Sequence, residues 1–455
     1  TPIMPKLVKI LISLLILSLT IGLIVKWNSI EDYFILSKRF EKPESRIKSW
    51  HQDLNYLRDG YLKIDRSFTD NKEKRFTSEI DSLINNINSL TDNQILVRII
   101  HAVALADNAH SQVNYKFLPK AGIRVSWFKE GLFITKTSYP KRHHLGKRIS
   151  KVNNLTIDQI VTQFRDYIPG NNHNKRNSIP NLIIRPDFWK GINTQYSSNK
   201  LIIEMIDSLG QRETDTFGIE PINSTLINLY CINKPDSLFI KYDKSFDSLP
   251  LYLSSPYKSA IYKKLNDELI YIQLNSSTNR GMSLCNFSDD LQDYFDSNSF
   301  ENIVLDIRMN NGGNYNLTRN IEKGIIQELL ESHGHLFLIT GNHTASAAIN
   351  LAASLKSHLK NSITIVGEPI GDDLLFWAEP KIFKLPNSAL EISASTYHHD
   401  LRNGRFKPFK TYWGNLFWDF ESNGLDVDIQ VEISINDYIA YKDPVMKTIK
   451  ELIEK

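Results

Sequence analysis

The chain has 455 residues, 41% hydrophobic and 23% charged, and its 54 Lys and Arg against 51 Asp and Glu leave a formal net charge of +3. Such ordinary usage excludes wholesale disorder, collagen and coiled coil, the charge balance gives no electrostatic footprint for a nucleic-acid partner, and the length suits two or three domains. Two cysteines, Cys231 and Cys285, cannot form a disulfide framework or thiolate zinc site, though one disulfide stays open to an exported chain, and twelve histidines include no His-Glu-x-x-His pair.

Residues 10–25 (ILISLLILSLTIGLIV) carry no charge and lie between Lys6 and Lys9 on one side and Lys26 on the other. The run is slightly short of the about 17–25 residues of a membrane span and longer than the roughly 7–15 of a cleaved signal. Lys26-Trp27-Asn28 follows, with no small-x-small cleavage site and no cysteine for a lipid. Lysines at both ends can snorkel and lengthen the effective span. Residues 1–30 are therefore expected to be an uncleaved signal-anchor starting from Met4, with the remaining chain outside the cytoplasm, in the periplasm or at the cell exterior.

A polar linker, 27–50, leads to helical periodicity over about 51–106, where Ile80, Leu83, Ile84 and Ile87, then Ile95, Ile99 and Val103, recur at three- and four-residue spacing. IRVSW and LFITKT then alternate as strands. A helix over about 156–168 stops at Pro169-Gly170. Residues 171–190 suggest a loop leading to a short helix, 199–220 a strand pair, and 221–265 has no clear pattern. From 268 onward LIYIQL, NIVLDI, HLFLIT and SITIVG alternate with helical segments, the rhythm of βα units around a largely parallel sheet. PKIFKL and LEISAS, joined by the turn LPNSA, follow, and an amphipathic helix occupies about 443–454.

Two of the βα turns carry residues that can do chemistry. NIVLDI runs into Asp306-Ile-Arg-Met-Asn-Asn-Gly-Gly-Asn314, where Gly312 and Gly313 allow the backbone to approach a ligand. HLFLIT runs into Gly341-Asn-His-Thr-Ala-Ser346-Ala-Ala348, which sets Ser346 at a helix N-terminus, where amides and dipole favour developing negative charge. Taken singly, the first is ordinary turn chemistry and the second an N-cap serine. Taken together, on one edge of a sheet, they offer a nucleophile and oxyanion donors for acyl transfer.

These residues resemble the S41 serine peptidase family. Asp306, Arg308, Asn310, Gly312 and Gly313 match each fixed position of its Asp-x-Arg-x-Asn-x-Gly-Gly motif, and Thr344-Ala-Ser346-Ala347-Ala348 matches its nucleophile motif. Val366-Gly-Glu-Pro-Ile-Gly371 departs from the family's run only at Ile370, and Leu385-Pro-Asn-Ser388, Gly424-Leu-Asp-Val-Asp-Ile429 and Asp443-Pro444 look like its closing segments, with Val427 where proline is usual. The resemblance spans roughly 95–455. The lysine base of tail-specific proteases has no counterpart between Lys360 and Lys381, whereas Asn108-Ala-His110-Ser111 and Glu421-Ser-Asn-Gly424 resemble the histidine and glutamate motifs of the tricorn-like branch. Asn108 stands where that branch has aspartate and Ala109 where it has a second serine.

The resemblance implies an α/β fold with a crotonase/ClpP-like βα core at 266–455, a helical region at 31–118 carrying His110, and a β-rich module at 119–265 that is faintly PDZ-like around Gly146–Leu155 but lacks the carboxylate-binding loop. It implies Ser346 as nucleophile, His110 as general base and Glu421 as the acid orienting the imidazole, with Glu368 and Asp419 as competitors for that last role. Ala347 with Gly312 or Gly313 would supply the oxyanion hole. No metal or organic cofactor is called for, and the partners are a polypeptide substrate and, through the N-terminal helix, the membrane. A non-catalytic peptide-binding protein, or an esterase or amidase with the same triad, are the competing functions. Trp413, Phe417, Trp418 and Phe420 are packing residues or the wall of a substrate site, and the stretch from His398 to Phe420 is long enough for a lid.

Overall fold

The computed structural model describes residues 30–114, 118–193, 196–220, 227–228, 249–402 and 420–454. The expected signal-anchor lies outside these residues, and no helix among the described residues is long and apolar enough to cross a membrane. Cys231 is also outside them; Cys285 is exposed and free.

The helical expectation resolves into α1 (Arg46–Ile64), α2 (Asp70–Asn86) and α3 (Asp92–Ala104). Ser45 caps α1 by accepting the Lys48 amide, and Thr91 with Gln94 forms a reciprocal capping box on α3. An antiparallel sheet follows, built from β1 (Ile123–Phe128), β2 (Gly131–Thr137), β3 (Arg148–Val152), β4 (Leu155–Thr156), β5 (Lys200–Ile206), β6 (Arg212–Gly218) and β7 (Ile227–Asn228). β1 is the edge of its main path. Asn153 and Asn154, both with positive φ (48° and 68°), make the tight β3–β4 hairpin.

Three helices connect these strands: α4 (Ile157–Phe164), α5 (Asn172–Ile183) and α6 (Pro186–Ile192). α5 occupies most of the segment expected to be a loop. Asn171 starts it by accepting the Asn174 amide, and Pro180 is tolerated inside it, with Ile179, Leu182 and Ile183 turned into the core. A polar composition had concealed this short buried stripe.

The remaining chain forms α7 (Leu251–Ser254), β8 (Ala260–Lys264), β9 (Leu269–Leu274), α8 (Leu284–Ser297), β10 (Asn302–Asp306), α9 (Arg319–Glu331), β11 (His335–Thr340), α10 (Ala347–Leu359) and β12 (Ile363–Gly367). It continues through β13 (Leu375–Ala378), β14 (Lys381–Lys384), β15 (Glu391–Ala394), β16 (Tyr397–Asp400), β17 (Ile429–Gln430), α11 (Ile435–Ile439) and α12 (Pro444–Ile453). The second sheet runs β17-β12-β11-β10-β9-β8, parallel except for β8. Because β9 to β12 progress in one direction, right-handed crossovers set α8, α9 and α10 on one face. Ile270, Ile303, Leu338 and Ile349 form the core there, while Val445, Met446 and Ile449 of α12 cover Tyr271, Val304 and Phe337 on the other face.

The two expected N-terminal modules share one hydrophobic core. Leu54, Ile80 and Ile99 of the helices pack with Ile134 and Leu201 of the first sheet, and with Phe383 and Ile392 of the β14–β15 hairpin. Asp53, buried on α1, accepts the Asn387 and Ser388 amides at 2.8 Å, so the hairpin turn is held by the N-terminal helix. The second sheet starts with β8, a few residues before the expected boundary at 266.

Asp306 and Arg308 of the strand–turn motif turn out to be structural. Arg308 binds Asp306 (Nη2 to Oδ2, 2.8 Å) and both oxygens of Asp443 (3.2 and 3.0 Å), its guanidinium lies 4.5 Å from the Tyr252 ring centre, and Tyr271 donates to Asp306 at 2.7 Å. Asp443 also accepts the Val445 and Met446 amides at the start of α12. Arg308→Met strands two buried carboxylates and is expected to cost about 3–5 kcal/mol, read as a lowered urea midpoint; an unchanged midpoint would refute the anchoring role.

Candidate active site

The turn after β11 is built by Thr344. Its hydroxyl accepts the Gly341 amide and donates to the Ile307 carbonyl, each at 3.0 Å, while the Ala345 amide donates to Asn310 O at 3.1 Å. The two βα turns are thereby stitched together. Ser346 then enters α10 with φ 54° and ψ −124°, a conformation strained for any residue with a Cβ, and its side chain does not cap the helix. The N-cap role, the ordinary explanation for a serine here, is therefore excluded. A strained serine on a strand-to-helix turn is the geometry that thrusts a nucleophilic hydroxyl out of the backbone.

Gly312 presses against that serine. A Cβ at position 312 would lie 2.6 Å from Ser346 Cβ and 3.2 Å from the Ala347 nitrogen, and φ there is +99°. Gly312→Ala should push the serine off its turn. The expected outcome is at least about a hundredfold loss of kcat, the lower end of what losing an oxyanion donor costs, with a lowered Tm; wild-type activity from folded protein would show that the turn tolerates displacement. The Gly312 amide donates to Asn310 Oδ1 at 2.9 Å, so it is committed inside the turn. Of the two glycines expected in an oxyanion hole, Gly312 is the one packed against the Ala347 nitrogen, while Gly313 packs against Ser277 and Thr278. Gly313 has φ +136°, and a Cβ on it would meet Ser277 O at 2.4 Å.

His110 lies in the loop after α3. Asn108 fixes that loop: its Nδ2 donates to Trp377 O and its Oδ1 accepts the Trp377 amide, each at 3.0 Å. An aspartate could not make the first bond, which accounts for asparagine at this position. The His110 ring stacks on Phe376 (centroids 5.4 Å, planes 15° apart), and Phe376 also stacks on His399. His110 Nδ1 is 3.6 Å from Asp372 Oδ2, and neither atom has a hydrogen-bond partner among the described residues. Burial lowers the imidazole pKa to about 4 and raises the Asp372 carboxyl to about 7. Each group is thus pressed toward its neutral form, and the gap is one a small ring movement would close.

Glu421, expected to orient the imidazole, makes no contact with His110 among the described residues. It is exposed, and its amide donates to Ser357 Oγ at 3.3 Å. Ser357 is eleven residues beyond Ser346 in sequence, roughly 16 Å along α10. Asp372 takes the place beside the ring because the Gly371 amide bonds Thr344 O at 2.9 Å, tying the segment to the serine turn. A glutamate matched by motif drew attention away from this aspartate, whose only sequence signal was the Gly-Asp-Asp run after Gly371. Ser346 and His110 share no direct hydrogen bond among the described residues.

Of the competing residues, Asp419 lies outside the described residues, as do Trp413, Phe417, Trp418 and most of the expected lid. Phe420 is buried in the core. Ser111 is buried in a hydroxyl network with Ser67 (3.0 Å) and Ser395 (2.9 Å), so it does not replace the missing serine at 109. Glu368 lines a cavity of about 360 Å³ with Arg124, Trp127, Arg176, Asn342 and His343, and burial raises its carboxyl pKa. Consecutive residues Arg124–Phe128 of the β1 edge form one wall of this cavity, and the segments following β10 and β11 form another.

His143, His144 and Asp215 are the group of possible metal ligands found among the described residues. Lys141 Nζ sits 2.6 Å from Asp215, and His144 already bonds Glu213 and Asp215 at 2.7 Å each, so two of the three, His144 and Asp215, are already paired.

No protein-family model matches the chain, and no curated protein does. Solved structures do. Mature CPAF aligns at a TM-score of 0.59 over 90% of this chain and 97% of its own, with 11% identity. CPAF complexed with lactacystin gives 0.58 over 90% and 98%, also at 11%. The photosystem II D1 C-terminal processing protease aligns at 0.36 over 86% and 94%, at 11%. These neighbours are S41-family serine peptidases. At such identity, the likeness to CPAF is one of fold.

Proposed function

We propose that this chain is a serine peptidase of the S41 family that hydrolyses polypeptides through an acyl-enzyme, with Ser346 as nucleophile, His110 as base and Asp372 as the residue positioning the imidazole. The observation that carries the reading is the strained Ser346 backbone with Gly312 packed on its Cβ. In this mechanism Ser346 Oγ attacks the scissile carbonyl carbon and its proton passes to His110 Nε2. The Ala347 amide and one from the Gly312-Gly313 turn hold the oxyanion, and His110 returns the proton to the leaving amine. Water, deprotonated by His110, then frees the acyl group. Asp372 accepts the Nδ1–H and stabilises the imidazolium, which requires the 3.6 Å gap to close by about 0.8 Å to hydrogen-bond length.

A polypeptide is favoured over a small ester because the β1 edge, along which an extended chain can lie, walls a cavity that is lined by Asn342 and His343 of the serine turn, though not by Ser346, His110 or Asp372 themselves. Residues 10–25 anchor the protein, and the crotonase-like core works outside the cytoplasm. The test of the acid assignment is a pair of variants assayed on an unfolded protein substrate. Glu421→Gln leaves kcat within about twofold, as for an exposed side chain without a role in the site, while Asp372→Asn does not. The reverse ranking would return the role to Glu421.

A further inference from the structure

The helical residues 30–36 present an apolar face to the outside. Ile30, Tyr33 and Phe34, at i, i+3 and i+4, are 45%, 67% and 68% exposed. The opposite face is locked to the body. Asp32 is buried and bonds Lys381 Nζ at 2.6 Å, with Arg66 at 3.5 Å. Ile35 and Leu36 pack against the helical core, and Tyr56 donates to Ile35 O at 2.8 Å. Ile35 Cγ2 comes so close to Gly60 that a Cβ there would be 3.2 Å away. The aromatic face is therefore rigidly presented. Single exposed apolar residues are ordinary, but two aromatics and an isoleucine on one fixed helical face are a patch.

Its position in the chain indicates what covers it. Residues 26–29 separate it from the apolar run 10–25, so five peptide steps, at most about 18 Å fully extended, join Val25 to Ile30. We infer that this face lies in the head-group region of the bilayer, with Tyr33 and Phe34 as interfacial anchors that hold the peptidase body in one orientation against the membrane. The inference rests on the anchor reading above. Charges flanking the face, Lys26, Glu31, Lys38, Arg39, Glu41 and Lys42, leave only a small positive excess, so the contact is chiefly apolar and the lipid need not be anionic. Tyr and Trp favour this depth because one end of the ring is apolar and the other wet.

The full chain is reconstituted into phosphatidylcholine nanodiscs with a photoreactive benzophenone amino acid in place of Phe34, or of Leu209, which is 81% exposed on the β5–β6 turn. Irradiation should yield at least about tenfold more lipid adduct at 34 than at 209, as expected of an interfacial aromatic, with no change at high salt. Equal yields from disc-bound protein would overturn the inference and leave the anchor standing. Protein that does not enter discs would overturn the anchor reading and this inference with it. Adducts that vanish at high salt would replace the aromatic contact with an electrostatic one.

Discussion

Ser346→Ala is expected to lower kcat by roughly 10⁵–10⁶-fold, the scale of removing a nucleophile from a serine–histidine site, while far-ultraviolet circular dichroism and the urea midpoint stay close to wild type. Alanine keeps the Cβ and so keeps the backbone strain at φ 54°. Ser346→Gly should therefore behave differently: equally inactive, but more stable by about 1 kcal/mol, because glycine adopts this conformation without penalty. Loss of activity accompanied by a stability gain is the signature of strain held at a functional site. An inactive but destabilised glycine variant would mean that the hydroxyl packs rather than reacts, and retained hydrolysis in the alanine variant would remove Ser346 as nucleophile.

Asp372→Asn is expected to lower kcat by roughly 10³–10⁴-fold, because the amide can neither fix the Nδ1–H tautomer of His110 nor balance the imidazolium. The pH dependence carries the sign. The productive state needs His110 neutral and Asp372 ionised; burial sets those steps at about 4 and about 7. In the wild type kcat/KM should rise with pH through about 7, the two groups titrating as a coupled unit. In the asparagine variant that rise disappears.

Stability moves the other way. The folded pKa of Asp372 lies above its unfolded value of 3.8, so its contribution is present below 3.8 and lost as pH rises toward 7. His110, lowered from 6.5 to about 4, contributes above 6.5 and loses that contribution as pH falls toward 4. The two slopes oppose each other in the wild type. Removing the aspartate leaves only the histidine, so the variant should gain on the wild type from about pH 4 to 7, by at most about 4 kcal/mol for a shift near three units. Denaturant titrations at pH 5 and 8 read this directly; a variant equally unstable at both values would make Asp372 a structural residue.

The strands and the catalytic turns were legible in the sequence because their signals are local. Four apolar runs between helical segments became β9 to β12, and Ser346 with Gly312 followed from turn chemistry at the ends of β11 and β10. The pairing of His110 with Asp372 was not legible. His110 and Asp372 are joined only through tertiary packing, by the Asn108–Trp377 clamp and the Gly371–Thr344 bond, and a matched Glu421 motif pointed elsewhere. α5 was missed because its apolar residues are few, and the shared N-terminal core because packing between helices and sheet leaves no boundary signal in composition. Asp306 and Arg308 were legible as a motif, but not their part in the fold, where Arg308 bonds both Asp306 and Asp443 and braces the strand beneath the site.

The central claim is that Ser346 is a nucleophile activated by His110. The most direct test is labelling of the protein with a fluorophosphonate, followed by intact-mass measurement and peptide mapping, in parallel with His110→Ala. A single adduct on Ser346 that forms in the wild type and is lost in the His110 variant is the predicted result. Folded wild-type protein that takes up no label, or a label on Ser346 that forms equally fast without His110, would contradict it.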